Sequence, residues 1–298
     1  MGDKQNLKRR TVLKQIALSG AALPIVNPVY LRNQEDNKAN NQIKMKGNIN
    51  HAVCKWCFDE IPLEEFAIKV KSMGITGIDL IGPEGWPILK KHKLTSSMCN
   101  GAEISLTKGW NDPKYHSTLI DSYTKHIDMV AAAGYKNLIC FSGNRRATDD
   151  ETGLKNCVSG LQKILGHAEK KGVILQMELL NSKIDHADYM CDNSSWGVDL
   201  CKKLDSDNFK LLYDIYHMQI NEGDVIRTLT EHSQYIGHYH TAGVPGRHEI
   251  DQTQELFYPA IMKSIVDSGF SGFVAQEFIP KVKNSLEPLK KAIAICDV

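Results

Sequence analysis

From Asn48 onward, short runs rich in apolar and β-branched residues alternate with longer stretches whose apolar positions recur at helical spacing. This is the pattern of successive βαβ units around a parallel sheet. Strands are predicted at His51–Cys54, Gly77–Ile81, Thr95–Cys99, Asn137–Ser142, Ile174–Leu179, Lys210–Ile215, Tyr235–His240 and Gly272–Phe278. Helices are predicted at Leu63–Met73, Leu119–Ala133, Gly153–Lys171, Trp196–Leu204, Gly223–Glu231, Glu255–Ser268 and Leu286–Ile295. Gly74, Gly134, Gly172 and Gly269 follow the last apolar-periodic residue of a helix, where a left-handed cap costs glycine little. Eight β-rich runs predict a closed α/β barrel, a (β/α)8 TIM barrel in a single domain. An open doubly wound sheet is the runner-up. It favours a glycine-rich phosphate loop after the first strand, and neither GxGxxG nor GxxxxGK[ST] occurs.

The N-terminal end has a different pattern. Residues 1–14 hold Lys4, Lys8, Arg9, Arg10 and Lys14 against Asp3 alone. The apolar run Ile16–Val26 that follows is too short to span a bilayer as a stable helix but suits the h-region of a signal peptide. Lys8-Arg9-Arg10-Thr11-Val12-Leu13-Lys14 resembles a twin-arginine export signal. Residues 1–31 are accordingly read as a signal segment, 32–47 as a polar linker and 48–298 as the barrel. The resemblance implies the twin-arginine machinery as a partner and a periplasmic or otherwise exported location. No clean small-x-small cleavage site follows the apolar run, so retention as a membrane anchor is the alternative.

Composition then narrows the chemistry. The chain has 298 residues, 42% hydrophobic and 24% charged, with a net charge of +1. With the basic end set aside, the remainder is mildly acidic, which argues against a nucleic-acid partner. The eight cysteines include no paired CxxC modules of zinc-ribbon type. Cys54-Lys55-Trp56-Cys57 has redox spacing, but packing near a strand end is the favoured reading, because a thioredoxin-like motif opens a helix directly.

Four consecutive predicted strands each present, at or near the C-terminal end, a carboxylate or imidazole amid apolar neighbours: Glu178, Asp214, His240 and Glu277. Active sites of such barrels lie at the C-terminal ends of the strands. Uncompensated carboxylates inside a barrel cost several kcal/mol each, and a bound cation compensates them directly. Three oxygen ligands and one imidazole suit Mn²⁺ or Mg²⁺, with Co²⁺ or Zn²⁺ compatible. The competing reading is a buried polar network without metal.

Residues 48–298 resemble the xylose-isomerase-like superfamily of sugar isomerases and epimerases, and within it the hydroxypyruvate isomerases. The resemblance is carried by Ile78-Asp79-Leu80-Ile81-Gly82-Pro83, Phe141-Ser142-Gly143-Asn144-Arg145, Glu178-Leu179-Leu180-Asn181-Ser182, Tyr213-Asp214-Ile215-Tyr216-His217-Met218-Gln219, Gly237-His238-Tyr239-His240-Thr241-Ala242 and Pro245-Gly246-Arg247-His248-Glu249. It implies that Glu178, Asp214, His240 and Glu277 ligate one divalent metal, with Glu178 and Glu277 also acting as acid/base groups on a hydroxy-keto acid or keto sugar. His217 is expected to bond a substrate oxygen, with a helix-start role as the alternative. Arg247 is expected to grip a substrate carboxylate, and Asp185 and His186 to lie near the substrate. Bacterial hydroxypyruvate isomerases carry Gln where His240 stands, whereas ketose 3-epimerases carry His, so a ketose 3-epimerase or other keto-sugar isomerase is the rival. A carbohydrate-binding protein without chemistry is the non-enzyme alternative. Glu84-Gly85-Trp86-Pro87 is read as a further pocket wall, and Leu106–Pro113 as either a lid or an ordinary surface loop. Homo-oligomerisation stays open.

Overall fold

In the computed structural model, residues 45–283 and 285–298 are described. Alternating strands and helices close on themselves. The parallel strands β1 (Asn50–Cys54), β2 (Gly77–Ile81), β3 (Thr95–Cys99), β4 (Asn137–Cys140), β5 (Ile174–Glu178), β6 (Phe209–Asp214), β7 (Ile236–Thr241) and β8 (Phe273–Gln276) pair in chain order, and β8 returns to β1. Closure runs through Asn50↔Phe273, His51↔Val274, Ala52↔Ala275 and Val53↔Gln276. The expected signal segment, residues 1–31, and residues 32–44 of the expected linker 32–47 lie outside the described residues. Among the described residues, no helix is long and apolar enough to cross a membrane.

The helices are α1 (Leu63–Ser72), α2 (Trp86–Lys91), α3 (His116–Ala133), α4 (Asp150–Lys171), α5 (Ser194–Leu204), α6 (Ile215–Asn221), α7 (Val225–His232), α8 (Tyr258–Asp267) and α9 (Glu287–Cys296). Their ends follow cap chemistry. Asp149 and Asn193 accept hydrogen bonds from the backbone N–H of Thr152 and Trp196 at the starts of α4 and α5, and Gly134 and Gly172 close α3 and α4 at φ 79° and 67°. Helix α7 starts later than its apolar pattern suggests, because Gly223 and Asp224 both take positive φ and form a turn. Helices α2 and α6 have no sequence counterpart. Each is a short element that follows a strand, too brief for a 3.6-residue period to show.

Along each strand, alternate residues point to the helix layer and to the barrel axis. The outward face joins the aliphatic core through Val53, Ile78, Leu175, Met177, Leu211 and Val274. The axis is lined differently, with small residues at Ala52, Cys54 and Ala275 and polar ones at Asp79, Ser97, Gln176, Glu178, Asp214, His238 and His240, all buried. The strand alternation therefore delivers a polar interior inside an apolar shell.

One predicted loop is fixed by a close backbone approach. A Cβ at Gly109 would lie 2.3 Å from the Phe141 carbonyl oxygen and 2.4 Å from the Gly143 nitrogen, and neither backbone atom can move aside. Trp110 and Asn111 donate their backbone N–H groups to Phe141 and Ser142, and the Trp110 ring is fully buried. Residues 109–112 are thus packed onto the loop after β4, which leaves the neighbouring Ser105–Lys108 turn as the exposed part of the segment. Gly109→Ala is expected to destabilise the fold by about 1–3 kcal/mol, as overpacking does. A denaturant midpoint equal to that of the unmodified protein would contradict it. Trp86 is buried, donates its indole N–H to the Ile81 carbonyl and packs edge-on to Tyr135, so its ring serves the core where a pocket wall was expected.

Candidate metal centre

Glu178 is the last residue of β5, Asp214 the last of β6, His240 the penultimate residue of β7, and Glu277 directly follows β8. Neighbouring strands in register bring these positions to one level of the barrel; Asp214 pairs with His240 and Glu178 with Leu212. All four side chains are buried, and one ligand atom from each lies within 4.8 Å of the others. His240 Nδ1 is 2.9 Å from Glu277 Oε2 and 3.4 Å from Glu178 Oε1. Atoms bound at about 2.1 Å to a single ion lie about 3.0–4.2 Å apart, so the spacing fits one divalent cation.

The donor chemistry fits as well. His240 Nε2 donates to Asp79 Oδ2 at 3.0 Å, which leaves Nδ1 buried with no hydrogen-bond partner among the described residues while it faces two carboxylates. A lone pair facing anions in a dry site is unfavourable unless a cation or proton intervenes. In the metal-free protein the proton takes that place: burial pulls the His240 pKa down, but Glu277, Asp79 and Cys54 around it push it well above the usual imidazole range. Asp214 is pushed up to about 8 by burial and by Glu277, against the pull of Arg247. Glu277 is held well below the usual carboxylate range, because His240 and Arg247 outweigh its burial.

The two glutamates are held differently. Glu277 accepts hydrogen bonds from Trp56 Nε1 at 2.7 Å and from Arg247 Nη2 at 2.6 Å. Among the described residues, the Glu178 carboxylate accepts none, although its backbone carbonyl accepts from the Tyr189 hydroxyl. Arg247 stacks between Trp56 and Tyr216, 5.1 Å and 5.4 Å from the ring centroids, and also reaches within 3.5 Å of Asp214. Among the described residues, its buried Nε has no partner. Three carboxylates, one arginine and one divalent cation sum to zero charge.

His217 sits in α6, whose N-cap is Asp214; Asp214 accepts from the backbone N–H groups of Tyr216 and His217. His217 thus occupies the helix-start position that was its alternative reading. Asn181 Oδ1 accepts from the backbone of Ile184 and Asp185, which orients its amide so that Nδ2 donates to His217 Nδ1 at 2.6 Å and to Asp185 Oδ2 at 2.6 Å. The His217 proton is therefore on Nε2, which is buried, unpartnered among the described residues and 3.6 Å from Asp214 Oδ2. Burial and the nearby Arg247 hold His217 well below the usual imidazole range, so it is a neutral donor. Asp185 is exposed and lies on the Nδ1 side of His217, its Oδ2 also taken by the Tyr216 hydroxyl; His186 packs its ring 5.1 Å from that of His217.

Sequence reasoning missed Trp56, Asp79, Asn181, Tyr216 and His238 as contributors. A charged residue inside the apolar strand Gly77-Ile78-Asp79-Leu80-Ile81, and a second histidine two positions before His240, were the available signals. Cys54 and Cys57 are both free thiols. Cys54 ends β1 and lies 3.7 Å from His240 Nε2, and burial pushes both thiols well up, which fits the packing reading over a redox one. Asp79, His238 and His240 also cluster, but Asp79 Oδ2 is bonded directly to both imidazoles at 2.5 and 3.0 Å, leaving no gap for an ion. The opposite end of the barrel opens into a cavity of about 840 Å³ lined by Ser97, Asn137, Gly237 and Phe270 among others; it holds no carboxylate or imidazole, so cavity volume does not locate the chemistry.

The chain is thus a closed parallel (β/α)8 barrel with a buried cluster of three carboxylates and an imidazole at the C-terminal strand ends, a set of groups that could hold a metal ion where such barrels carry their active sites. The chain belongs to the xylose isomerase-like TIM barrel family, whose profile matches residues 60–296. It is 36% identical over 118 residues to the 2-oxo-tetronate isomerase of Cupriavidus necator, a match covering 40% of this chain and 45% of that protein. It is 27% identical over 224 residues to the hydroxypyruvate isomerase of Escherichia coli K12, covering 72% and 86%. The first of these matches thus spans less than half of its relative's length. Among solved structures, the 3-keto-D-glucoside 4-epimerase of Escherichia coli superposes with a TM-score of 0.69 at 17% identity over 83% of this chain and 98% of that one, a likeness of fold.

Proposed function

We propose that this protein is a metal-dependent isomerase that interconverts hydroxypyruvate and tartronate semialdehyde through an enediolate. The observation that carries the reading is the convergence of Glu178, Asp214, His240 and Glu277 on one ion-sized volume, with two glutamates held in different hydrogen-bonding states. Relatives named as isomerases support it. A divalent cation held by the four side chains, Mn²⁺ or Mg²⁺ by their oxygen-rich chemistry, would polarise the substrate carbonyl and stabilise the developing oxyanion.

Glu178, whose carboxylate accepts no hydrogen bond among the described residues, takes the proton from C3 and returns it to C2. Glu277, held ionised by Arg247 and Trp56, assists transfer of the hydroxyl proton from O3 to O2. One C–H bond breaks at C3, one forms at C2, and the C3 hydroxyl becomes the aldehyde. His217 Nε2–H donates to a substrate oxygen. Arg247 offers its remaining N–H groups, including the unpartnered Nε–H, to the substrate carboxylate while Nη2 stays on Glu277.

Metal-reconstituted protein should convert hydroxypyruvate in deuterated water with deuterium appearing at the reacting carbon, followed by NMR. Absence of turnover and of solvent exchange with hydroxypyruvate and with a ketohexose panel would sink the isomerase reading. Turnover of ketohexoses alone would favour a ketose 3-epimerase, the reading that His240 supports. Arg247→Ala should raise KM for hydroxypyruvate about tenfold or more, the loss of one charge-assisted contact, and affect neutral ketoses less. Equal effects on both substrates would remove Arg247 as the carboxylate partner.

Export by the twin-arginine route belongs to the same reading, since that route carries folded, metal-loaded proteins. Replacing Arg9 and Arg10 together by Lys should retain the chain in the cytoplasm on cell fractionation; an unchanged distribution would exclude the signal.

A further inference from the structure

Asp79 projects from β2 into the barrel axis beneath the four candidate ligands, and it is completely buried. Its carboxylate is fully engaged. Oδ1 accepts from the Ser97 hydroxyl, and Oδ2 accepts from His238 Nε2 at 2.5 Å and from His240 Nε2 at 3.0 Å. The backbone is bent to achieve this. The β2–β3 register slips on both sides of Asp79, and Leu80 takes φ 58°, a left-handed conformation that costs a branched residue about 1–3 kcal/mol.

The consequence falls on His240. A neutral imidazole carries one proton, and three carboxylate groups compete for it: Asp79 at Nε2, and Glu277 and Glu178 at Nδ1, 2.9 and 3.4 Å away. A proton on Nδ1 would occupy the position a cation needs. Of the three, only Asp79 meets its nitrogen in hydrogen-bond geometry, while Nδ1 has no partner among the described residues. His238 and Ser97 hold the Asp79 carboxylate so that it cannot rotate away from His240. We propose that Asp79 is a positioning residue that keeps the His240 proton on Nε2 and so presents Nδ1 as a metal ligand, with His238 and Ser97 as its supports. This rests on the reading of His240 as a ligand of the site above. It also separates the two histidines of β7: His240 is the ligand, and His238 serves to hold Asp79.

Calorimetric titration of Mn²⁺ into metal-free protein tests the proposal. Asp79→Asn keeps the shape but presents an amide N–H that turns His240 Nε2 into an acceptor and moves the proton to Nδ1. Mn²⁺ affinity should fall about 10- to 100-fold, the usual cost of losing an outer partner of a ligating histidine. Unchanged affinity in a variant shown by circular dichroism to be folded would overturn it. A measurement on the unmodified protein covers the case in which Asp79→Asn does not fold. In the Zn²⁺-loaded protein, ¹⁵N NMR of the His240 ring should show a metal-bound Nδ1 and a protonated Nε2, and the reverse assignment would overturn the proposal. No Mn²⁺ or Zn²⁺ binding by the unmodified protein would instead be the failure of the metal-centre reading, and would remove the Asp79 role with it.

Discussion

Glu178→Gln is expected to lower turnover of hydroxypyruvate by about two to four orders of magnitude, the span that a positioned acid/base group contributes. The amide keeps the shape and an oxygen that can face a cation, but it cannot accept and return a proton. Among the described residues, the Glu178 carboxylate has no hydrogen-bond donor to lose, so the folded state should be disturbed little. Glu277→Gln should cost at least as much activity, and stability as well. Its carboxylate is bonded to Arg247 and Trp56 and lies against His240, and an amide in its place leaves a half-buried arginine without its nearest anion. The pair of variants therefore separates two losses. Single-turnover rates and solvent deuterium exchange report on proton transfer, and thermal unfolding midpoints report on the fold. Near-normal rates in either variant would remove that glutamate from the catalytic pair.

Chelation of the metal is expected to abolish turnover, and readdition of Mn²⁺ to restore it more readily at pH 8 than at pH 6. The sign follows from the protons the cation must displace. His240 is raised well above the imidazole range, and Asp214 is raised to about 8 from 3.8, so both hold protons in the metal-free protein at neutral pH. Affinity should climb about tenfold per pH unit for each proton displaced, and the Asp214 share should level off above about pH 8. Folding stability follows the same linkage. Because the folded-state pKa of Asp214 lies above its ordinary value, its contribution to the metal-free fold is complete below about 3.8 and is lost as pH rises through about 8. Glu277 runs the other way: its depressed pKa gives a contribution present above the ordinary carboxylate range and lost only in stronger acid. The rise in unfolding temperature on adding Mn²⁺ should be larger at pH 8 than at pH 6. An equal or smaller rise at pH 8 would contradict the displacement of protons from these two groups.

The strands and most helices were legible because they follow local periods. Runs such as Ile174–Glu178 and Phe209–Asp214 announce themselves by β-rich composition, and α3, α4 and α5 by apolar spacing and capping residues. The four candidate ligands were legible because each is a lone charged or imidazole side chain at the end of such a run. Arg247 was picked out as a cation in a loop, but its contact with Glu277 was not, because the 30 positions between them carry no pattern that encodes the distance. Asp79 was harder still. It meets His238 and His240 across 159 and 161 positions, and only barrel closure puts β2 and β7 on facing sides of one axis.

By itself, then, the order of residues determined the (β/α)8 architecture and the placement of Glu178, Asp214, His240 and Glu277 at strand ends, since period and capping are properties of neighbours along the chain. Tertiary structure decided which of these groups touch and which nitrogen of each imidazole carries the proton. It also decided that Asp214 is shifted up and Glu277 down from the ordinary carboxylate range. Those depend on burial and on charges delivered by different strands, and electrostatic interaction falls with distance in space and takes no account of separation in sequence.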